Sequence, residues 1–213
     1  MRKISYLLSF VAGCFVFASA TAQRIEYSES FLEKLNQLQL TVVEPTDAGY
    51  KDVMVLKNDV EGYDFAIRSR REKLEIRYII EDDEAIEITH HLPHIRFTLL
   101  LSQLASNIED SLPMAIHELP QDEIEELFGA DWGQVAYFQP KGNFTHWQYA
   151  KLLSLYKTER GMAHILFLYN KSGLALDNRF HAVQFLNEQR TKCNVQLLPS
   201  VLRPSFDCDP IHQ

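Results

Sequence analysis

Three histidines occur within five residues, in the segment His90-His91-Leu92-Pro93-His94. Imidazole nitrogens bind Zn²⁺, Cu²⁺ and Ni²⁺ well, so His90, His91 and His94 form a candidate site for a divalent metal. His94 is expected in the first turn of a helix, where the positive end of the helix dipole favours the neutral imidazole that binds metal. The sequence contains no His-Glu-x-x-His motif, and the first two histidines precede the helix, so their side chains need not converge. The alternative is three surface histidines between a strand and a helix.

A run of four acidic residues, Glu81-Asp82-Asp83-Glu84, is a second candidate for cation binding. Ca²⁺ takes several carboxylate and carbonyl oxygens as ligands. The run lacks the alternating spacing by which a loop wraps around the ion, and like charges adjacent in sequence usually face water. We therefore predict a solvated turn at these residues.

The tripeptide Asp131-Trp132-Gly133 places a carboxylate beside an aromatic side chain, a combination common in ligand sites. Asp131 and Trp132 are accordingly candidate ligand-binding residues. The competing interpretation is a turn before a strand, in which Asp131 accepts hydrogen bonds from backbone amides and Trp132 covers the edge of a sheet.

Motifs of the common catalytic classes are absent from the chain. There is no Gly-x-Ser-x-Gly nucleophile motif, and neither of the glycine-rich phosphate-binding loops occurs. The 29 acidic residues leave open a carboxylate pair for glycoside hydrolysis, since spacing in sequence does not predict spacing in space. The sequence favours a binding domain over an enzyme, and the divalent metal of the histidine segment is the one cofactor that we consider.

Residues 1–22 have the pattern of a cleaved export signal. Arg2 and Lys3 form a basic region, an apolar run follows from Ile4 to Phe17, and small residues precede Gln23. The apolar run is too short for a permanent membrane span. The mature chain, residues 23–213, is therefore expected to be periplasmic or extracellular.

The segment Val11-Ala12-Gly13-Cys14 resembles a bacterial lipobox, which would anchor the chain to a membrane through lipid on Cys14. Cys14 lies very early in the chain, however, and the residues after it are apolar rather than a polar tether. A lipid anchor is therefore the less favoured interpretation.

Cys193 and Cys208 are the only cysteines outside the predicted signal. Two cysteines in an exported chain most simply form a disulfide, and closing a loop of this size contributes about 3 kcal/mol in the chain-entropy model. We expect a disulfide between them that holds the proline-rich C-terminal tail against the domain.

The net charge of the chain is −8 at pH 7. An acidic surface disfavours non-specific binding to nucleic acids and anionic membranes, and no cluster of basic and aromatic residues indicates a nucleic-acid interface. The expected partner is a protein or a small ligand.

Apolar spacing predicts strands in groups with helices between them. Expected strands are 41–43, 53–56, the two arms 63–68 and 74–80 of a hairpin, 114–117, and three central strands between Phe128 and Asn170. Expected helices begin near Ser28, at Pro93, near Pro120 and at Asp177, the last with Phe180, Val183 and Leu186 buried. The hairpin alternates apolar and polar residues, which is typical of one face in the core and one in water.

This order of elements predicts one α+β domain with an antiparallel sheet covered by helices. The segment from Met162 to Tyr169 is apolar on both alternating faces, so we place it inside the layered fold.

Three segments, Phe128 to Gly133, Phe138 to Lys141 and Lys151 to Lys157, resemble exported proteins of bacterial envelopes whose architecture is similar to the PsbP-like α/β sandwich. The resemblance implies a non-enzymatic binding or accessory domain. It assigns no catalytic residue.

These observations together predict an exported binding or accessory domain of the bacterial envelope that recognises a partner protein or a small ligand. The alternative is a metal-dependent protein, such as a hydrolase, that uses His90, His91 and His94. Convergence of the three imidazoles on one point distinguishes the two hypotheses.

Overall fold

The chain folds into an antiparallel sheet covered by helices, as the sequence pattern predicts. The computed structural model describes residues 25–45, 49–53, 62–82, 92–107, 113–170, 179–180 and 182–186. The helices in these ranges are α1 (Glu29–Gln37), α2 (Pro93–Leu104) and α3 (Gln121–Glu123), which continues into a π-helix (Ile124–Phe128). The strands are β1 (Leu40–Val42), β2 (Lys51–Asp52), β3 (Phe65–Ser69), β4 (Leu74–Asp82), β5 (Ala115–Glu118), β6 (Trp132–Phe138), β7 (Tyr149–Lys157), β8 (Gly161–Tyr169) and β9 (Val183–Phe185).

Seven strands form the main sheet in the order β2-β3-β4-β8-β7-β6-β5, and every described pair is antiparallel. Strand β8 is the fourth of the seven, and all nine of its residues are buried. The prediction of a central strand apolar on both faces is therefore confirmed. Strands β6, β7 and β8 form the predicted meander.

Helix α1 covers one face of the sheet. Ser28 caps the helix by accepting a hydrogen bond from the Phe31 amide, and Phe31 stacks on Phe65 of β3 with 4.9 Å between ring centroids. Strands β1 and β9 form a separate two-stranded sheet that belongs to the same hydrophobic core. We call this face of the main sheet the α1 face.

Helix α2 covers the opposite face, which we call the α2 face. Pro93 lies in its first turn, where the missing amide hydrogen costs no intrahelical bond. The side chains of Phe97, Leu100, Leu101 and Leu104 are buried against the sheet. Both broad faces of the sheet are thus covered by apolar side chains from helices.

The hairpin β3–β4 has the predicted pairing, but the expectation of one solvated face is wrong. Every residue of β4 from Leu74 to Ile80 is buried. The polar residues of the second face, Glu75 and Arg77, pair with each other on the α2 face through a hydrogen bond of 2.7 Å. Alternation of apolar and charged residues along a strand indicates a solvated face only when the charged side chains have no partners inside the fold.

The predicted C-terminal helix is also wrong where the structure describes it. Val183 to Phe185 form strand β9, which pairs with β1 so that Leu40 faces Phe185. Val183 and Phe185 are buried and Gln184 between them is not, which is the alternation of a strand. The helix was predicted because Phe180, Val183 and Leu186 are spaced three residues apart. Asp177, the expected helix cap, lies outside the described residues.

Strand β2 lies directly before the predicted strand 53–56. Pairing with β3 involves Lys51 and Asp52, and the Val53 amide still donates to the Ala66 carbonyl. Residues 54–56 lie outside the described ranges, as do the predicted export signal, Cys14, Cys193 and Cys208. Among the helices that the structure describes, none combines the length and the hydrophobicity needed to cross a bilayer.

Candidate functional site

Asp131 and Trp132 both have partners within the fold. The Asp131 carboxylate accepts hydrogen bonds from the Lys157 ammonium at 2.6 Å and from the Thr158 amide at 2.9 Å. Burial raises the pKa of Asp131, but these hydrogen bonds more than offset it and hold the pKa below its ordinary value. Trp132 packs edge to face against Phe97 at 6.2 Å. The Asp131 contacts match the turn interpretation, whereas Trp132 packs against α2 and not over the edge of the sheet. Ligand binding by the two residues stays a prediction.

The histidine segment is only partly described. His94 is exposed in the first turn of α2, as predicted, while His90 and His91 lie outside the described residues. In the described part of the chain, no three His, Cys, Asp or Glu side chains are grouped so that they could hold a metal ion. The metal site at His90, His91 and His94 therefore stays a prediction.

A cleft of about 390 Å³ opens on the α1 face beside the edge strand β5. Its floor is formed by His117, Val135, Tyr137 and Lys151, which project from the neighbouring strands β5, β6 and β7. Its walls are formed by Leu119, Glu123, Leu127 and Phe180. We call it the Lys151 cleft, and its size and mixed apolar and polar lining are typical of small-molecule sites.

Lys151 is the charged residue at the floor of this cleft, and it is only 4% exposed. Its ammonium lies 4.0 Å from the ring centroid of Phe180 and 5.3 Å from that of Tyr137. Cation–π contacts of this kind stabilise an ammonium group by about 0.5–2 kcal/mol each. The two rings therefore hold the ammonium group in place at the base of the cleft.

The π-helix positions the wall of the Lys151 cleft. Its last residue, Phe128, is fully buried and contacts Phe180 edge to face at 5.3 Å, so it supports the ring that covers Lys151. The preceding residue, Leu127, lines the cleft directly. Gly129 ends the helix with a left-handed backbone at φ 62°, which glycine adopts without strain. Single-turn π-helices occur frequently at functional sites.

A second polar cluster lies on the α2 face and corrects the prediction of a solvated turn for Glu81. Glu81 belongs to β4, and both of its carboxylate oxygens accept hydrogen bonds from Arg96 of α2, one of them at 3.0 Å. His164 Nε2 is 3.7 Å from Glu81 Oε2. Ser154 Oγ lies 2.6 Å from His164 Nδ1 on the adjacent strand.

This Ser154–His164–Glu81 arrangement contains the residue types of a hydrolytic triad, but it is enclosed. Ser154 and His164 are both 0% exposed, and a nucleophile needs contact with the substrate carbonyl. We therefore assign the cluster a structural role in joining β4, β7, β8 and α2.

Stability at acidic pH is expected to depend on Glu81. Burial alone would raise the pKa of Glu81. The interactions with His164 and Arg96 lower it by a larger amount, so the pKa falls from 4.5 to about 2. A carboxyl group with a depressed pKa in the folded state stabilises the protein above its unfolded pKa and loses that contribution as the pH falls toward the folded value. Between pH 5 and pH 2, the contribution of Glu81 to the free energy of unfolding of wild type should fall by about 2–3 kcal/mol. Urea unfolding curves of Glu81→Gln should lack this part of the pH dependence.

Glu33→Gln is the matched control, because Glu33 is an exposed carboxyl group on α1. It should leave the pH profile of stability unchanged. Superimposable profiles for wild type and Glu81→Gln would contradict the assignment.

Comparisons of the chain with protein-family models, with curated proteins and with solved structures find no match.

Sequence reasoning did not identify the Lys151 cleft. One indication was available, because Lys151 is a charged residue within a strand that is otherwise largely apolar from Ala150 to Leu155. A lysine in a covered strand requires a compensating environment. His117 and Tyr137 lie near that lysine because of the register of β5, β6 and β7, and Phe180 reaches it from a distant part of the chain. The sequence pattern predicts neither.

Proposed function

We propose that this chain is an exported, non-enzymatic binding domain of the bacterial envelope that holds a small ligand in the Lys151 cleft. The observation that carries the proposal is the cleft itself, with a volume of about 390 Å³ and aromatic, aliphatic and charged groups on one concave surface. Small-molecule sites have about this size and this combination of side chains. The pattern of residues 1–22 and the resemblance to envelope proteins support export.

Burial and pairing of the other polar clusters favour binding over catalysis. The Ser154–His164 pair is enclosed under α2, and Glu75 is bound by Arg68, Arg77 and Trp147. Groups committed to intramolecular partners in a closed interior are unable to reach a substrate. The Lys151 cleft, in contrast, is open to solvent.

Filling the cleft is expected to weaken binding of an uncharged probe with an apolar ring system. 2-Naphthalenemethanol should bind wild type and shift the backbone amide resonances of β5, β6 and the π-helix in NMR titrations. Leu127→Trp places a large ring where Leu127 lines the cleft and should weaken binding at least about tenfold, which corresponds to 1.4 kcal/mol.

The matched control is Leu32→Trp, since Leu32 is 43% exposed on α1 and does not line the cleft. Leu32→Trp should bind the probe as wild type does. Equal binding by wild type and Leu127→Trp would place the ligand elsewhere, and no binding to wild type would overturn the proposed function.

A further inference from the structure

We infer that the edge strand β5 is an interaction surface that binds an extended, positively charged segment of another protein by strand addition. In such a complex the main chain of the partner pairs with the outer edge of β5, and the main sheet gains one further strand. The inference does not rest on the proposed ligand site, because the added strand would lie in the plane of the sheet and not inside the Lys151 cleft.

The outer edge of β5 presents main-chain groups that no described strand pairs with. Strand β5 is the last in the described order of the main sheet, and β6 is its neighbour there. The Leu119 amide donates to the carbonyl of Gly133, which lies opposite it in the register of β5 and β6. Amide groups along an antiparallel strand alternate in direction, so those of Ile116 and Glu118 point away from β6. These two residues therefore present N–H and C=O groups to a further strand.

The side chains of β5 are uncovered as well. All residues from Ala115 to Glu118 are exposed. Ile116 is 47% exposed, and Met114, directly before the strand, is 45% exposed. Tyr137, which lies opposite Ala115 on β6, is 38% exposed. Apolar side chains that are exposed together often mark interaction sites, and a strand laid against β5 would bury part of this surface.

The opposite edge of the main sheet is less suited to strand addition. Strand β2 consists of Lys51 and Asp52 alone, and a short, charged edge strand is a common protection against pairing with other chains. Strand β5 is longer, and Pro113 and Pro120 flank it. Because proline has no amide hydrogen to donate, the stretch available to a partner runs from Met114 to Leu119.

The charge beside β5 determines which partner fits. Residues 118–126 include no lysine or arginine and five acidic residues, namely Glu118, Asp122, Glu123, Glu125 and Glu126. Glu118 belongs to β5, and only Leu119 and Pro120 separate that strand from α3 and the π-helix, which contain the other four. All five are exposed except Glu123, which is half-buried. A segment with lysine or arginine side chains is therefore attracted to this edge.

The same charge disfavours a second copy of this chain as the partner. Pairing of two β5 strands would bring two acidic segments together without a lysine or arginine from either of them. Charged side chains on an edge strand oppose pairing between identical edges, whereas they favour a partner of opposite charge.

Three acetylated and amidated peptides test the inference with the full chain. The first is a hexapeptide of alternating arginine and valine, the second has glutamate in place of arginine, and the third is the first with proline in place of its second valine. The third peptide keeps the charge but loses a main-chain donor. The first peptide should slow amide hydrogen exchange at Ile116 and Glu118 in NMR spectra and leave that of His117, which points toward β6, nearly unchanged. The other two should bind at least about tenfold more weakly.

Ile116→Pro removes an amide hydrogen from the outer edge of β5. Proline is tolerated on an edge strand where its nitrogen faces solvent, so pairing with β6 should persist, and unchanged amide shifts of β6 would show it. The variant should bind the first peptide at least about tenfold more weakly. Ile116→Thr keeps the amide hydrogen and is the matched control, with affinity within about threefold of wild type.

A pair of double variants tests the role of charge. Glu118→Gln with Glu126→Gln should weaken binding of the first peptide about fivefold, the effect expected from losing two exposed charge pairs. Glu29→Gln with Glu33→Gln changes the net charge equally at exposed positions of α1. This control should keep the affinity of wild type.

Each contrary outcome overturns a defined part of the inference. Unchanged exchange at Ile116 and Glu118 with about 1 mM of the first peptide would overturn strand addition, as would equal binding of the proline peptide, which needs no fold of a variant to interpret. Equal binding of the acidic peptide, or an equal loss in both double variants, would contradict selection by charge. A wild-type dimer in sedimentation experiments that Ile116→Pro abolishes would make a second copy the partner and contradict the assignment.

Discussion

Replacement of Glu75 by Gln is expected to lower the free energy of unfolding by about 3–5 kcal/mol, the range for breaking a buried ion pair on one side. Glu75 is 0% exposed and Arg77 is 6% exposed. The Glu75 carboxylate accepts hydrogen bonds from Arg77 at 2.7 Å, from Arg68 at 2.7 Å and from the Trp147 indole at 3.3 Å. Burial raises the pKa of Glu75, but the two guanidinium groups lower it below its ordinary value, so the carboxylate is charged at neutral pH.

The expected loss of stability in Glu75→Gln is large because of Arg77. Its guanidinium lies between the rings of Tyr63 and Phe144, with its central carbon 4.6 Å and 4.9 Å from their centroids. Arg77 Nη1 has no hydrogen-bond partner among the described residues. Neutral Gln at position 75 would leave a buried cation with cation–π contacts as its main compensation, and the desolvation cost of the charge would remain.

Two further variants test this explanation by urea denaturation. Lys157→Met breaks the partly exposed pair with Asp131 and should cost no more than about 1 kcal/mol. The double replacement of Glu75 by Leu and Arg77 by Met removes both buried charges and should recover at least half of the loss seen in Glu75→Gln. A cost below about 1 kcal/mol for Glu75→Gln would contradict an uncompensated charge.

Gly161→Ala is expected to destabilise the fold by about 3 kcal/mol or more, because it combines backbone strain with a steric clash in the sheet. Gly161 has φ 128°, a conformation that residues with a side chain rarely adopt. It begins β8 and lies opposite Asp82 of β4. A Cβ atom at this position would lie 2.2 Å from the carbonyl oxygen of Glu81 and 2.9 Å from Asp82 Cα. Both are backbone atoms of the neighbouring strand, so a side-chain rotation is unable to relieve the contact.

Gly142→Ala is the matched control for thermal and urea unfolding. A Cβ atom on Gly142 would meet no heavy atom within 4 Å, and its φ lies outside the positive range. Its stability should stay within about 1 kcal/mol of wild type. If Gly161→Ala is as stable as Gly142→Ala, the β4–β8 pairing does not require glycine at its end.

Elements with one dominant local pattern were predictable from the sequence. Ser28 precedes a helix with buried Phe31 and Leu35, and β8 is apolar without interruption except for His164. Both patterns involve residues close together in the chain, and helix-capping preferences and apolar periodicity are sufficient to predict them. The strand Val183 to Phe185 was missed because its apolar residues fit a helical spacing as well, and pairing with the distant β1 decides its structure.

The buried charges were the least predictable part of the structure. Glu75 and Arg77 occupy strand positions that a binary pattern assigns to the solvated face, and Lys151 interrupts a strand that is otherwise largely apolar. Each is buried because a partner from elsewhere in the chain covers it, such as Trp147 for Glu75 and Phe180 for Lys151. The Lys151 cleft therefore became visible only with the register of β5, β6 and β7. Of the candidate residues from the sequence, Asp131 lies directly before β6 and Trp132 is the first residue of that strand.

The pairing of β4 with β8 also determines the order in which the protein can fold. The hairpin β3–β4 and the meander β6-β7-β8 form between neighbouring segments, whereas Leu74 pairs with Tyr169 across much of the chain. Closing that long loop is entropically costly, so the two local units should form first and dock in a slower step. Until they dock, β4 and β8 both expose apolar edges to other molecules. A nascent chain that ends before residue 169 is unable to complete the sheet, so the protein should depend on holding factors until its synthesis is complete.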